Sequence, residues 1–214
     1  ENWHRGVIGL AASKITEKLH RPSIVISLEN GIGHGSARSI GKYHLLSGLE
    51  SCGELMEQFG GHAAAAGLKI KAENIDLLRE KLNRHAMENL SEEDLIPEVN
   101  IDAVVSSKTL DLKMLDELKM LEPFGAGNPK PVFVTKDLYL VDEPYVMKEK
   151  HLRLRLADES RKQFEAVWWD GVERSKGRTL RPKERIELAY TPEANTWQGN
   201  TRLQLVVEDL RTDN

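Results

Sequence analysis

Gly35-Ser36-Ala37-Arg38-Ser39 follows the β-branched run Ser23 to Leu28 and two further glycines, Gly31 and Gly33. Such a loop lets backbone N–H groups approach a phosphate, while a serine hydroxyl adds a donor and an arginine adds a planar fork for two phosphate oxygens. The spacing is that of neither a P-loop nor a dinucleotide fingerprint. On residue types alone the run reads rather as a glycine hairpin with an exposed arginine. A second run is Phe59-Gly60-Gly61-His62 followed by Ala63 to Ala66 and Gly67. Taken as two glycines opening an Ala-rich turn of helix, it permits very close backbone approach. It would also set His62 beside free N–H groups, where it can donate to a phosphate oxygen. The same residues serve equally for tight helix packing, with His62 as a surface cap.

Five of the seven histidines lie within the first 62 residues: His4, His20, His34, His44 and His62. No pair has a His-x-x-x-His or Glu-x-x-His helical spacing with a supporting carboxylate, and residues 1–72 hold no Asp-rich cluster. No metal site is expected in the chain, and hydrolysis of phosphodiesters usually draws on carboxylate-held metals.

A third constellation lies towards the C-terminus. In His151-Leu152-Arg153-Leu154-Arg155-Leu156 a period of two separates three leucines from His151, Arg153 and Arg155. With Lys148, Lys150, the pair Trp168-Trp169 and Trp197 beside Gln198-Gly199-Asn200, this resembles a basic groove with stacking rings for single-stranded nucleic acid. Phe164, Ala166 and Trp168 share one strand face, so Trp168 is assigned to the core and Trp169 to the ligand. Trp197 also reads as a core or loop-anchoring residue.

The elements that must position these residues follow from hydrophobic periodicity. Ile8, Ala11, Ala12, Ile15 and Leu19 predict a helix over 6–20, ended by Pro22. Residues 23–28 read as a strand buried on both faces, 30–36 as a loop, and 44–58 as two short helical stretches. A short strand at 68–70 and a helix at 74–90 complete a small α/β domain. The charged connector Ser91 to Pro97 sets the boundary, giving domains 1–92 and 93–214. Beyond it come a strand near 98–105, a helix near 109–121, and the breaker Pro123-Phe124-Gly125-Ala126-Gly127-Asn128-Pro129. Strands at 132–141, 151–156, 162–169, 184–191 and 201–208 then suit a small, mainly β barrel of the OB type with one preceding helix.

Composition excludes several classes. No stretch approaches the roughly 18 apolar residues of a membrane span, and the polar start Glu1-Asn2-Trp3-His4-Arg5 is no signal peptide. Cys52, the single cysteine, cannot form an internal disulfide, which points to a reducing cytoplasm and no membrane. A net charge of −4 argues against coating nucleic acid through bulk charge. Locally the balance differs: residues 73–122 carry 6 basic against 13 acidic side chains, whereas 148–185 carry 12 against 7. Lacking an initiator Met, the chain reads as a piece of something longer.

Trp3-His4-Arg5-Gly6-Val7-Ile8-Gly9, Gly35-Ser36-Ala37-Arg38-Ser39 and Phe59-Gly60-Gly61-His62-Ala63 resemble, in that order and spacing, the DHH-associated domain of the RecJ single-strand-specific exonucleases. Leu121-Glu122-Pro123-Phe124-Gly125-Ala126-Gly127-Asn128-Pro129, and the stretch from Leu188-Ala189-Tyr190 through Trp197-Gln198-Gly199-Asn200 to Leu205, are similar to the OB-fold domain that follows it. The resemblance implies the substrate-gripping portion of a 5′→3′ single-stranded DNA exonuclease. Gly35, Ser36, Arg38, Ser39, Gly60, Gly61 and His62 would lie at the DNA and its 5′-phosphate, with His62 in a supporting catalytic role. Lys148, Lys150, Arg153, Arg155 and Trp169 would form the barrel's DNA face. Mn2+ or Mg2+ would be held by an Asp-His-His domain that this sequence lacks, so the chain is expected to be inactive alone. That missing catalytic domain, a single-strand-binding protein and a helicase are the implied protein partners. A stand-alone nucleic-acid-binding module, or a fragment of an oligonucleotide or cyclic-dinucleotide phosphodiesterase, is the alternative.

Overall fold

The computed structural model describes residues 3–175 and 177–212. The chain divides into two compact units, Glu1–Glu98 and Val99–Asn214. The connector belongs with the first unit: Asp94 accepts the backbone N–H and hydroxyl of Ser91, and Arg21 Nη1 donates to the Leu95 carbonyl at 2.8 Å.

In the first unit, helix α1 (Arg5–Leu19) starts at His4, whose Nδ1 accepts the Gly6 N–H, and ends at His20 in the left-handed region. Strands β1 (Ser23–Glu29), β2 (Ile32–Arg38), β3 (Met56–Gly61) and β4 (Ala65–Lys71) form one antiparallel sheet in the order β1-β2-β4-β3. Helices α2 (Leu45–Glu50) and α3 (Ile75–Asn89) bury Leu45, Leu49 and Leu78 with Ala37, Leu68 and Ile70 on the sheet face opposite α1.

Three sequence expectations change here. Residues 23–28 form an edge strand paired only with β2, and it is partly rather than fully buried: Ile24 and Ile26 pack against the core only in part, and Leu28 is exposed. The expected loop at 30–36 turns at Asn30-Gly31 and continues as β2. Gly33 and Gly35 are needed there, since a Cβ on either would collide with the side chains of Ile70 or Leu68, their cross-strand partners. The Ala-rich turn of helix after Gly60-Gly61 is instead the β3–β4 hairpin, where Ala65 and Ala66 pair with Arg38 and Ala37. Sheet pairing overrides the helix propensity of alanine.

In the second unit, a short β5 (Ala103–Val104), a 3-10 turn at Ser107–Thr109 and helix α4 (Leu112–Leu118) precede the barrel. Strands β6 (Phe133–Leu140), β8 (His151–Ala157), β9 (Gln163–Trp168), β10 (Arg185–Trp197) and β11 (Asn200–Thr212) close into a five-stranded ring. The pairings run β6–β10–β11–β9–β8, and β8 returns to β6. A three-residue strand β7 (Tyr145–Met147), absent from the sequence reading, extends the sheet beyond β8, and α5 (Gly171–Arg174) follows β9. The inner face is filled by Leu152, Leu154, Leu156, Phe164, Trp168, Leu188 and Tyr190, with Leu110 from the segment before α4. Asp158 pins that segment: it accepts from Ser107, Ser160 and the Lys162 N–H, and those hydrogen bonds, Ser160's the largest, hold its carboxyl below the usual range.

Candidate nucleic-acid interface

Alternation along β2 turns Gly33, Gly35 and Ala37 towards the core, and His34, Ser36 and Arg38 towards α1. Arg38 Nη1 donates to Ser36 Oγ at 3.1 Å and to the Ala37 carbonyl at 2.9 Å, so the guanidinium is folded back over its own strand. Its backbone carbonyl accepts from Thr16 of α1. Its tip reaches back to Gly9, where a Cβ would stand 3.2 Å from Arg38 Nη2 and 3.4 Å from Ser36 Oγ. Gly9 was not singled out from the sequence as a site residue. The signal for it is the glycine inside an otherwise regular helix.

Ser36, Gly67 and Gly60 form one row across β2, β4 and β3. A Cβ on Gly60 would meet nothing within 4 Å, and one on Gly67 only the Gly35 carbonyl at 3.8 Å. The row is therefore a bare backbone shelf with Ser36 and Arg38 at one side. The hairpin beyond it is tied down: Ser39 N–H donates to the Ala64 carbonyl, Leu45 N–H to that of Ala63, and His62 N–H to that of Ala65. Gly61, at φ 152°, occupies the turn where a Cβ would run into Ala65 and Ala66. His62 is exposed at the tip, not at a helix N-terminus. Its Nδ1 accepts the Ala64 N–H at 3.3 Å, which leaves Nε2 as an outward donor. Gly35, Ser36, Arg38 and Ser39 thus share β2 and its end with the Gly60-Gly61-His62 hairpin beside them.

In the second unit the outer face of β8 carries His151, Arg153 and Arg155, opposite the leucines. Arg153 lies over the Tyr145 ring of β7 at 5.0 Å, and Tyr145 is 60% exposed. His151 meets Trp169 edge-on at 4.8 Å and accepts the Asp170 N–H through Nδ1. Lys148 and Lys150 lie in the exposed turn between β7 and β8. Acids temper this face. Lys150 pairs with Asp170 at 2.9 Å and Arg155 with Asp142 at 3.1 Å, and the Lys150 ammonium beside Asp170 holds that carboxyl below its ordinary range. Tyr145 escaped the sequence reading because a three-residue strand shows too little alternation to detect.

Among the described residues, no group of three or more His, Cys, Asp or Glu is placed to hold a metal ion, and no helix is long and apolar enough to cross a membrane.

A family model described as RecJ OB domain matches residues 101–209, and one described as DHHA1 domain matches residues 1–88. The single-stranded-DNA-specific exonuclease RecJ of Bacillus subtilis (strain 168) is 35% identical over 97% of this chain and 26% of its own length. That of Haemophilus influenzae is 31% identical over 97% of this chain and 37% of its own length. The crystal structure of RecJ in complex with Mn2+ from Thermus thermophilus superimposes with a TM-score of 0.78, at 27% identity, over 99% of this chain and 30% of that one. The chain therefore spans between about a quarter and just over a third of the length of these relatives.

Proposed function

The chain belongs to the RecJ OB domain family, and from that membership we propose that it is the DNA-gripping portion of a RecJ-type 5′→3′ single-stranded DNA exonuclease. The observation that carries the reading is the outer face of the barrel, where Tyr145, Arg153, His151 and Trp169 set exposed rings and a guanidinium side by side while the leucines of the same strand fill the core. Rings stack on bases of any sequence, and an arginine tracks the backbone, which together suit a single strand. In the first unit the glycine shelf admits a phosphodiester backbone, and Ser36, Arg38 and His62 Nε2 supply donors for a terminal 5′-phosphate, while Ser39, whose hydroxyl donates to the Tyr43 carbonyl and whose N–H donates to that of Ala64, borders the site without a free donor. Mn2+ or Mg2+ and the carboxylates that hold it belong, on this reading, to the part of the relatives that this chain does not span. His62 then supports catalysis by donating to a phosphate oxygen rather than by binding metal. A single-strand-binding protein or a helicase would be a further partner of the whole enzyme, working in DNA repair and recombination in the cytoplasm.

The test is a titration of the chain into labelled 5′-phosphorylated oligo-dT, read by fluorescence anisotropy, alongside incubation with Mn2+. Saturable, salt-sensitive binding without shortening of the strand is expected. No binding at low salt refutes the DNA reading, and degradation that survives repurification refutes the division of labour.

A further inference from the structure

Helix α1 packs on β1 and β2, and on the same side of the sheet Gln58, Gly60, Gly67 and Lys71 of β3 and β4 stand exposed. Gly60 and Gly67 are cross-strand partners there, and no neighbour needs the space that either leaves. Glycine inside a strand weakens it, so two that packing does not demand mark a face that something approaches closely. A merely solvated sheet face would not call for them.

The next row on that face has a different character. His34, Lys69 and Gln58 are partners across β2, β4 and β3, on the side away from Leu68 and Ile70, which point into the core. Two strand residues, roughly 7 Å, separate this row from that of Ser36, Gly67 and Gly60. That step is close to the spacing of successive phosphates on an extended single strand. The ammonium of Lys69, the amide of Gln58 and the ring of His34 all carry N–H donors. Glu57, the extra residue of a bulge in β3, sets its carboxylate 2.8 Å from Lys69 Nζ. The hydrogen bond from Lys69 holds that carboxyl below its ordinary range, and Lys71 and His34 act on it in the same sense. Two lysines and a histidine thus share one acid, and the floor of the sheet keeps a positive balance.

We infer that this floor is a second phosphate subsite: with the terminal 5′-phosphate at Ser36 and Arg38, the next phosphate of the strand sits on Lys69, His34 and Gln58. This rests on the glycine shelf being the site of the 5′-phosphate. End recognition then reads two phosphates at a fixed spacing rather than one terminal group. Lys71, two residues further along β4, extends the same positive field. Glu57 holds Lys69 in place and must release it when a strand arrives, so the acid works against affinity.

The probe is 5′-phosphorylated oligo-dT of about 15 nucleotides in which one linkage, the first from the 5′ end or a central one, is a neutral methylphosphonate. With the full chain, neutralising the first linkage is expected to weaken binding about 3- to 10-fold, and more than neutralising the central one. Lys69→Met should cost a similar factor, abolish the difference between the two linkages, and flatten the salt slope by about 0.7. Lys69→Arg should restore most of the affinity, and Glu57→Gln should tighten binding of the unmodified strand. If the first linkage costs no more than the central one, or costs as much in Lys69→Met as in the parent, the second phosphate is not held here. Arg38→Ala separates this from failure of the shelf itself. A lost preference for the phosphorylated end in Arg38→Ala, with no effect of Lys69→Met, leaves the shelf standing and removes only its extension. No effect of Arg38→Ala removes both.

Discussion

Trp168 and Trp169 are neighbours in sequence and face opposite sides of the barrel wall: Trp168 is 1% exposed and packs in the core, and Trp169 is 50% exposed against His151. Trp168→Ala is expected to cost about 3–5 kcal/mol of stability, as for other large core aromatics. The indole N–H of Trp168 is buried with no hydrogen-bond partner among the described residues, so Trp168→Phe should be much milder, because no bond is lost. Trp169→Ala should leave the melting temperature alone and weaken single-strand binding by about 1–3 kcal/mol. Denaturant melts and anisotropy titrations of the three variants decide it. A stability loss in Trp169→Ala comparable to that in Trp168→Ala would sink the assignment.

The four cations of the barrel face should not count equally. Each phosphate neutralised on a single strand contributes about −0.7 to the slope of log affinity against log salt. Arg153, stacked on Tyr145, is expected to contribute close to that amount. Arg155 is already compensated by Asp142, so Arg155→Ala should flatten the slope less, and Asp142→Asn should steepen it. Titrations at four or more salt concentrations measure this directly, and an Arg155 effect larger than that of Arg153 contradicts it.

Tyr190 gives the second unit an alkaline limit. Burial pushes its phenol up to about 12, while its hydroxyl bonds Thr135 at 2.8 Å. In the unfolded chain the phenol ionises near 10, so between about pH 10 and 12 the unfolded state sheds a proton that the folded state keeps. Stability is full below that window and falls through it, by up to about 1.4 kcal/mol per pH unit for one proton. Tyr190→Phe should lower stability at pH 8 by the lost hydrogen bond and show a shallower decline from pH 10 to 12. Parallel declines in the two proteins would show that Tyr190 does not set the limit.

Helices α1 and α3 and the five barrel strands were legible because their apolar residues repeat at 3.6 or 2 over long runs. The alternation of Leu152, Leu154 and Leu156 also placed Arg153 and Arg155 on the outer face. The glycine strand β2 and the hairpin through Gly60 and Gly61 were not legible. Their side chains are too small to make a pattern: in β2, Gly33 and Gly35 leave the space that Ile70 and Leu68 need on a strand about 35 residues away, and in the hairpin Gly61 leaves the space that Ala65 and Ala66 need. The role of Gly9 was hidden for the same reason: it exists only once β2 carries Arg38 against α1. The structure brings Ser36, Arg38 and His62, which the motifs named together, into one neighbourhood of the sheet, but His62 sits at a hairpin tip rather than at the helix start expected for it.

Arg38 and Gly9 supply a test that separates recognition from stability. Arg38→Ala should weaken binding of a 5′-phosphorylated strand more than that of its unphosphorylated counterpart, by about 1.5–3 kcal/mol, the worth of a hydrogen bond to a charged group. Gly9→Ala acts through position. Its new Cβ, 3.2 Å from Arg38 Nη2 and 3.4 Å from Ser36 Oγ, obliges the guanidinium to give by a few tenths of an ångström. An alanine inside α1 is otherwise favourable, by up to about 1 kcal/mol over glycine. Gly9→Ala should therefore melt no lower than the parent and yet lose part of the preference for the phosphorylated end. Thermal melts paired with competition between the two strands read both quantities. Equal losses on both strands for Arg38→Ala would reduce it to a backbone clamp, and an unchanged preference in Gly9→Ala would show that the guanidinium does not need the space Gly9 leaves.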